Sequence, residues 1–94
     1  MRRVIVTYDV KPGCGPDLVR ELLASEGVKN IRKEDGCIQY EYYFSAEDQD
    51  RVTLIEMWEN EELHQAHLAG PNMAPISGIK QKYTNGQKVE ILDE

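Results

Sequence analysis

Cysteine is scarce in this 94-residue chain, and that scarcity removes two classes of protein. Two cysteines, Cys14 and Cys37, make neither a disulfide framework nor a four-ligand zinc site. The expectation is two reduced thiols in a cytoplasmic protein, with a single bridge left open because their separation in space is not legible. Basic residues are also few: 11 Lys and Arg against 17 Asp and Glu give a formal charge of -6. That balance argues against nucleic acid, whose binding rests on phosphate neutralisation, and against an anionic membrane surface. No apolar run approaches the ~20 residues of a membrane-spanning helix. The opening MRRVIVTYDV is interrupted by Thr7 and Asp9 and is expected to be a strand, not a signal peptide. Repeats, linkers and low-complexity stretches are missing too. What is left is one small domain over residues 1–94, whose thin core gives it a reason to oligomerise.

The segment Arg51 to Pro71 carries most of the information. Val52, Leu54, Glu56 and Trp58 alternate on one strand face, with Thr53, Ile55 and Met57 on the other. At Asn60 the period changes. Its side chain is suited to cap a helix, and Glu61 and Glu62 then occupy the first turn, where the helix dipole favours negative charge. Leu63, Ala66 and His67 follow at i, i+3 and i+4, which predicts an apolar helix face carrying an imidazole. Gly70-Pro71 ends it. A carboxylate and an indole from the strand and a histidine from the helix are thereby expected around one cavity.

Elsewhere the chain reads as a strand over Val4 to Val10, a Lys11-Pro12-Gly13 stop, and a helix from about Pro16 to about Lys33, bent near Gly27. Asp35-Gly36 punctuates the chain before a strand over Cys37 to Phe44. Ile38, Tyr40, Tyr42 and Phe44 share one face of it, and its aromatics suggest cover on both sides. Ser45 to Asp50 forms a hairpin loop. Met73, Ile76, Ile79, Lys80 and Tyr83 fall at helical spacing, Asn85-Gly86 closes that helix, and Lys88 to Leu92 is the last strand. The order βαββαβ, with a split second helical region, predicts an α+β ferredoxin-like sandwich: a four-stranded antiparallel sheet with helices on one face. The uncovered face, with Thr53, Ile55 and Met57 or their opposites, predicts a homodimer.

Lys11-Pro12-Gly13, the run Gly36 to Glu41, Glu56-Met57-Trp58-Glu59, and Ala66-His67-Leu68 before Gly70-Pro71 occur in an order and spacing that resembles the antibiotic biosynthesis monooxygenase family. The resemblance spans nearly the whole chain. It implies a dimeric α+β barrel with a pocket in each protomer. For some members it also implies oxygenation of a small quinol or phenol without metal, flavin or haem. A deprotonated hydroquinone can itself reduce O₂, so the protein need only bind, dehydrate and orient it. Members with the same fold also isomerise a phosphorylated signalling compound or degrade haem, and fold alone does not choose. This chain departs from an aromatic-polyketide oxygenase of the type in having Leu54 where that enzyme has an amide and His64 where it has a phenol. Asn72 stands where many relatives have a histidine, and no histidine falls at Met73 or Ala74, the region of the haem ligand.

The candidate catalytic residues are therefore His67, as general base, and Glu56, as the carboxylate that orients it. Trp58, His64, Tyr40, Tyr42 and Asn72 are the candidate substrate contacts, each with a plain packing role as its alternative. Glu61, His64 and His67 give E-x-x-H-x-x-H, but two steps of three residues drift by about 60° around a helix, and no second helix supplies ligands, so no metal is expected. The acidic tail, Glu90, Asp93 and Glu94, reads as a solvated end. The activity expected first is a cofactor-free monooxygenase on a small quinol or phenol. The alternatives are an isomerase or lyase acting on a small carbonyl compound and a non-catalytic ligand-binding dimer.

Overall fold

The computed structural model describes residues 1–94. Four strands form one antiparallel sheet in the order β2-β3-β1-β4. They are β1 (Arg2–Val10), β2 (Cys37–Phe44), β3 (Val52–Trp58) and β4 (Thr84–Asp93). Helices α1 (Gly15–Ala24) and α2 (Glu26–Ile31) join β1 to β2, and α3 (Glu61–Ala69) and α4 (Met73–Tyr83) join β3 to β4. This is the expected α+β ferredoxin-like arrangement, with the first and last strands adjacent at its centre and edge.

Register places the core. Val4, Val6 and Tyr8 of β1 stand opposite Glu56, Leu54 and, beyond the paired stretch, Val52 on one side, and opposite Ile91, Val89 and Gln87 on the other. The alternation in β3 is complete: Val52, Leu54, Glu56 and Trp58 are buried and Thr53, Ile55 and Met57 are half-buried. Against this face lie Leu18 and Leu22 of α1, Val28 and Ile31 of α2, and Ile76 of α4, all fully buried. Burying a side chain of this size contributes about 1.5–3 kcal/mol.

Several boundaries differ from the sequence reading, each for a local reason. The single first helix is two, because Ser25 leaves the helical region at φ -74, ψ 144 and its Oγ accepts from the Val28 N–H to start α2. β1 begins at Arg2 and β4 at Thr84, so Asn85-Gly86 lies inside the strand; Thr84 turns extended directly from α4. In β2 the register shifts between Cys37 and Gln39, which throws Ile38 outward at 50% exposed and gives its place on the inner face to Cys37. β2 is an edge strand, with Tyr43 and Phe44 exposed, so the double cover expected of it is not present in the protomer. On α3 the buried residues are His64 and His67; Leu63 is only half-buried and Ala66 is exposed. That helix presents two imidazoles to the sheet, not an aliphatic stripe. No helix is long and apolar enough to cross a membrane.

Candidate functional site

Asn60 fixes the start of α3. Its Oδ1 accepts from the Leu63 N–H at 2.9 Å, as the change of period predicted. His64 and His67 then point back at the end of β3. Their rings lie 6.2 Å apart and nearly parallel, and the Trp58 indole stacks on His67 at 4.6 Å with an interplanar angle of 25°. Trp58 is fully buried and donates from Nε1 to Glu56 Oε1 at 3.0 Å.

The hydrogen bonds set the tautomer of each imidazole. His67 Nδ1 is 2.6 Å from Glu34 Oε1, and a carboxylate only accepts, so Nδ1 carries a proton and Nε2 is the nitrogen left without a hydrogen bond. His64 Nδ1 is 3.3 Å from an Arg2 guanidinium nitrogen, which only donates, so here Nδ1 accepts and Nε2 carries the proton. Arg2 is held in turn by Asp93 at 2.7 and 3.0 Å and by Glu61 at 3.5 Å. Glu34 Oε2 accepts from Asn72 Nδ2 at 2.8 Å, which leaves both of its oxygens engaged. The orienting contact expected from Glu56 is thus made by Glu34; Glu56 Oε1 lies 4.0 Å from His67 Nε2.

A cavity of about 170 Å³ lies between the sheet and helices α3 and α4. Val4, Val6, Leu54, Leu68 and Met73 give it apolar walls, and Val89 and Ile91 of the edge strand form its half-open side. Its polar groups are few: Glu56, His64, His67, Tyr8, Tyr40, Lys80 and Gln87. Burial pushes the Glu56 carboxyl above the usual carboxylate range, against the opposing pull of the Trp58 N–H and of His67. Burial also lowers His64, and Arg2 adds to the shift, so this imidazole stays neutral. The Tyr8 and Tyr40 phenols are raised by burial and remain neutral donors. Burial raises the Cys37 thiol to about 11, which makes it a poor nucleophile.

Of the residues singled out in the sequence, His67, Glu56, His64 and Tyr40 share this cavity. Trp58 stands behind His67 and does not line it. Tyr42 packs edge-on to Tyr40 at 5.9 Å, its buried hydroxyl without a hydrogen-bond partner. Asn72 lies on the outer side of His67, in a shallow depression with Glu34 and Gly70. No group of three or more His, Cys, Asp or Glu side chains is placed to hold a metal ion, and Glu61 of the E-x-x-H-x-x-H run turns to Arg2. Glu34, Arg2, Lys80, Tyr8 and Gln87 were not legible as site residues. The one signal for Glu34 is its place two residues before Gly36, against which Leu63 of α3 packs.

A family model described as antibiotic biosynthesis monooxygenase matches residues 1–76. The chain belongs to the antibiotic biosynthesis monooxygenase family. Solved structures agree on the fold. A conserved protein of Methanosarcina mazei is 21% identical, with 99% of this chain and 91% of that one covered and a TM-score of 0.86. A Nitrosomonas europaea protein, provisionally named an antibiotic biosynthesis monooxygenase, is 19% identical over 100% and 98% of the two chains, with a TM-score of 0.86. A Bacteroides thetaiotaomicron protein titled as of unknown function is 26% identical over 99% and 96%, with a TM-score of 0.84. No curated protein matches the chain. The part matched by the family model holds Glu34, Glu56, His64 and His67, whereas Lys80 and β4 lie beyond it.

Proposed function

We propose that this member of the family is a cofactor-independent monooxygenase of a small quinol or phenol, in which His67 is the general base. The observation that carries this is the His67–Glu34 pair. A buried imidazole has its proton-bearing Nδ1 fixed on a carboxylate, leaving Nε2 free beside an apolar cavity. An orienting acid behind a histidine is the arrangement that makes imidazole an effective base.

A hydroquinone lying in the cavity gives a phenolic proton to His67 Nε2. Glu34 and the stacked face of Trp58 then stabilise the imidazolium. His64 Nε2–H and the Tyr40 hydroxyl donate to the oxyanion that forms. The electron-rich anion reduces O₂ and a new C–O bond forms on the ring. Loss of water leaves a hydroxyquinone, so that one hydroquinone and one O₂ give one hydroxyquinone and one water. Glu56, its pKa raised and 4.0 Å from Nε2, is the adjacent group able to hold a proton. Asn72 acts through Glu34 as a positioning residue.

The same reading makes the protein a cytoplasmic homodimer. Ile5, Ile55 and Met57 are half-buried on the helix-free face of the sheet, and Leu92 beside them is 52% exposed. Both cysteines are free thiols, in keeping with a reducing compartment.

Oxygen uptake with a panel of hydroquinones tests the reading. His67→Ala should lower kcat per folded molecule by ~10²–10⁴-fold, in addition to the stability lost with its buried, stacked ring, and Glu34→Gln should lie between it and the native protein. Turnover of carbonyl compounds without oxygen would move the assignment to an isomerase or lyase. Stoichiometric binding without turnover would move it to a ligand-binding protein. A folded His67→Ala variant with native turnover would leave the site without its base.

A further inference from the structure

The cavity has two polar ends, and only one of them is used by the chemistry proposed above. Its long direction follows β1. At one end Val4 faces Glu56 and Ile91, beside the two histidines; at the other Tyr8 faces Gln87. Four residue steps of strand separate these ends, about 13 Å between Cα atoms. Between them the walls are Val6, Leu54 and Val89. Lys80 belongs to the far end. It lies two helical turns beyond Met73 on α4, about 10 Å along the axis, and borders Gln87.

Lys80 is the one cationic side chain that lines the cavity, and it makes no ion pair or side-chain hydrogen bond. Burial lowers its pKa, and Glu56 opposes that shift from a distance without pairing with it. A half-buried ammonium without a partner is a costly element of an apolar wall. It gains most from a ligand that brings the missing negative charge. Size narrows the ligand further. A dry apolar cavity of about 150 Å³ holds a single benzene ring, so about 170 Å³ fits one ring with small substituents.

We propose that Lys80 is an anion subsite, so that the cavity selects a single-ring hydroxylated aromatic acid lying lengthwise, its carboxylate on Lys80 and its phenolic oxygen at His67. The placing of the phenol rests on the function proposed above; the charge preference does not. Gln87 Nε2 and the Tyr8 hydroxyl are the neutral donors at the same end. Lys80 also borders a polar depression with Ser77, Gln81 and Thr84. A lysine that turns there to water would show no ligand preference.

The test is binding under nitrogen, where no oxygenation occurs. The probes are 2,5-dihydroxyphenylacetate and its neutral isostere 2,5-dihydroxyphenylacetamide, titrated calorimetrically into the native protein, Lys80→Gln and Lys80→Arg. The native protein should bind the acid about tenfold or more tightly than the amide, as expected for a charge-assisted contact. Lys80→Gln should bring the two affinities together, and Lys80→Arg should keep most of the preference. Lys80→Met replaces Lys80→Gln if the latter melts early. Equal affinities in the native protein, a preference that survives both neutral variants, or binding of neither probe would overturn the subsite. A Lys80-dependent preference in a protein that consumes no oxygen in air would keep the subsite and remove the oxygenase reading. Oxygenation of hydroquinones with no charge preference would do the reverse.

Discussion

His64 and His67 sit on one helix, face one cavity and are held in opposite tautomers, the first by a guanidinium and the second by a carboxylate. The difference has a thermodynamic signature. Burial and Arg2 hold the folded-state pKa of His64 below its ordinary 6.5. On acidification the unfolded chain therefore takes up a proton near that pH while the folded protein does not, and stability falls until the folded pKa is reached. Glu56 works in the other sense. Its raised pKa lets the folded state gain a proton before the unfolded one, which adds stability on the acid side. In His64→Asn the amide oxygen replaces Nδ1 as the acceptor for Arg2 and cannot titrate. Melting temperatures at pH 7, 6 and 5 should show the variant less stable at pH 7 but with a shallower decline toward acid. Parallel curves would mean that His64 is not held neutral by its surroundings.

At the scale of elements, the site depends on how closely α3 approaches the turn after α2, and Gly36 sets that approach. It sits at φ +81, and a Cβ added there would fall within the Leu63 side chain. Gly13, at φ +80, has open space where its Cβ would go. Both alanine substitutions carry the strain of a left-handed backbone, about 1–2 kcal/mol. Only Gly36→Ala also pushes α3 outward and draws His67 away from Glu34. Gly36→Ala should therefore lose more stability than Gly13→Ala and, unlike it, should lower kcat. Urea unfolding and initial rates on the pair check this; equal effects would show that the α3 contact is not what the glycine protects.

The same contact marks what was legible in the sequence. Period and capping residues located β2, β3 and α3 and put Glu56, Trp58 and His67 together, because each signal lies within a few consecutive residues. Glu34 was not legible, since it comes from a turn with no period of its own and meets His67 only through the packing of α3 on Gly36. Lys80 read as one member of a helical stripe because nothing local distinguishes a lysine facing a cavity from one facing water. His64 was legible as a candidate contact, but the guanidinium that fixes its tautomer comes from the far end of β1.

At the scale of the whole molecule, the helix-free face of the sheet is its least satisfied surface, and the homodimer proposed above covers it. Ile55 lies near the middle of that face, paired with Ile5 on one side and Glu41 on the other. Ile55→Asp should shift the mass seen by light scattering from dimer to monomer, since an unpaired carboxylate buried at an interface costs several kcal/mol. Glu47→Asp, on the exposed loop between β2 and β3, should leave it unchanged. A native protein that scatters as a monomer at micromolar concentration would sink the dimer outright.

The pairing of β1 with β4 has a kinetic consequence. Arg2 meets Asp93 across a separation of 91 residues, and β1 is an inner strand only once β4 has joined it. Non-local pairings of this kind form slowly, because loop-closure entropy must be overcome before the contacts repay it. A nascent chain that still lacks β4 leaves the edge of β1 bare, His64 without its fully anchored Arg2, and the cavity without the wall made by Val89 and Ile91. The β2–β3 hairpin, closed by a short loop, can therefore form before the β1–β4 pair does. The binding site closes only when β4 docks, and until then the edge of β1 is an unpaired strand open to wrong partners.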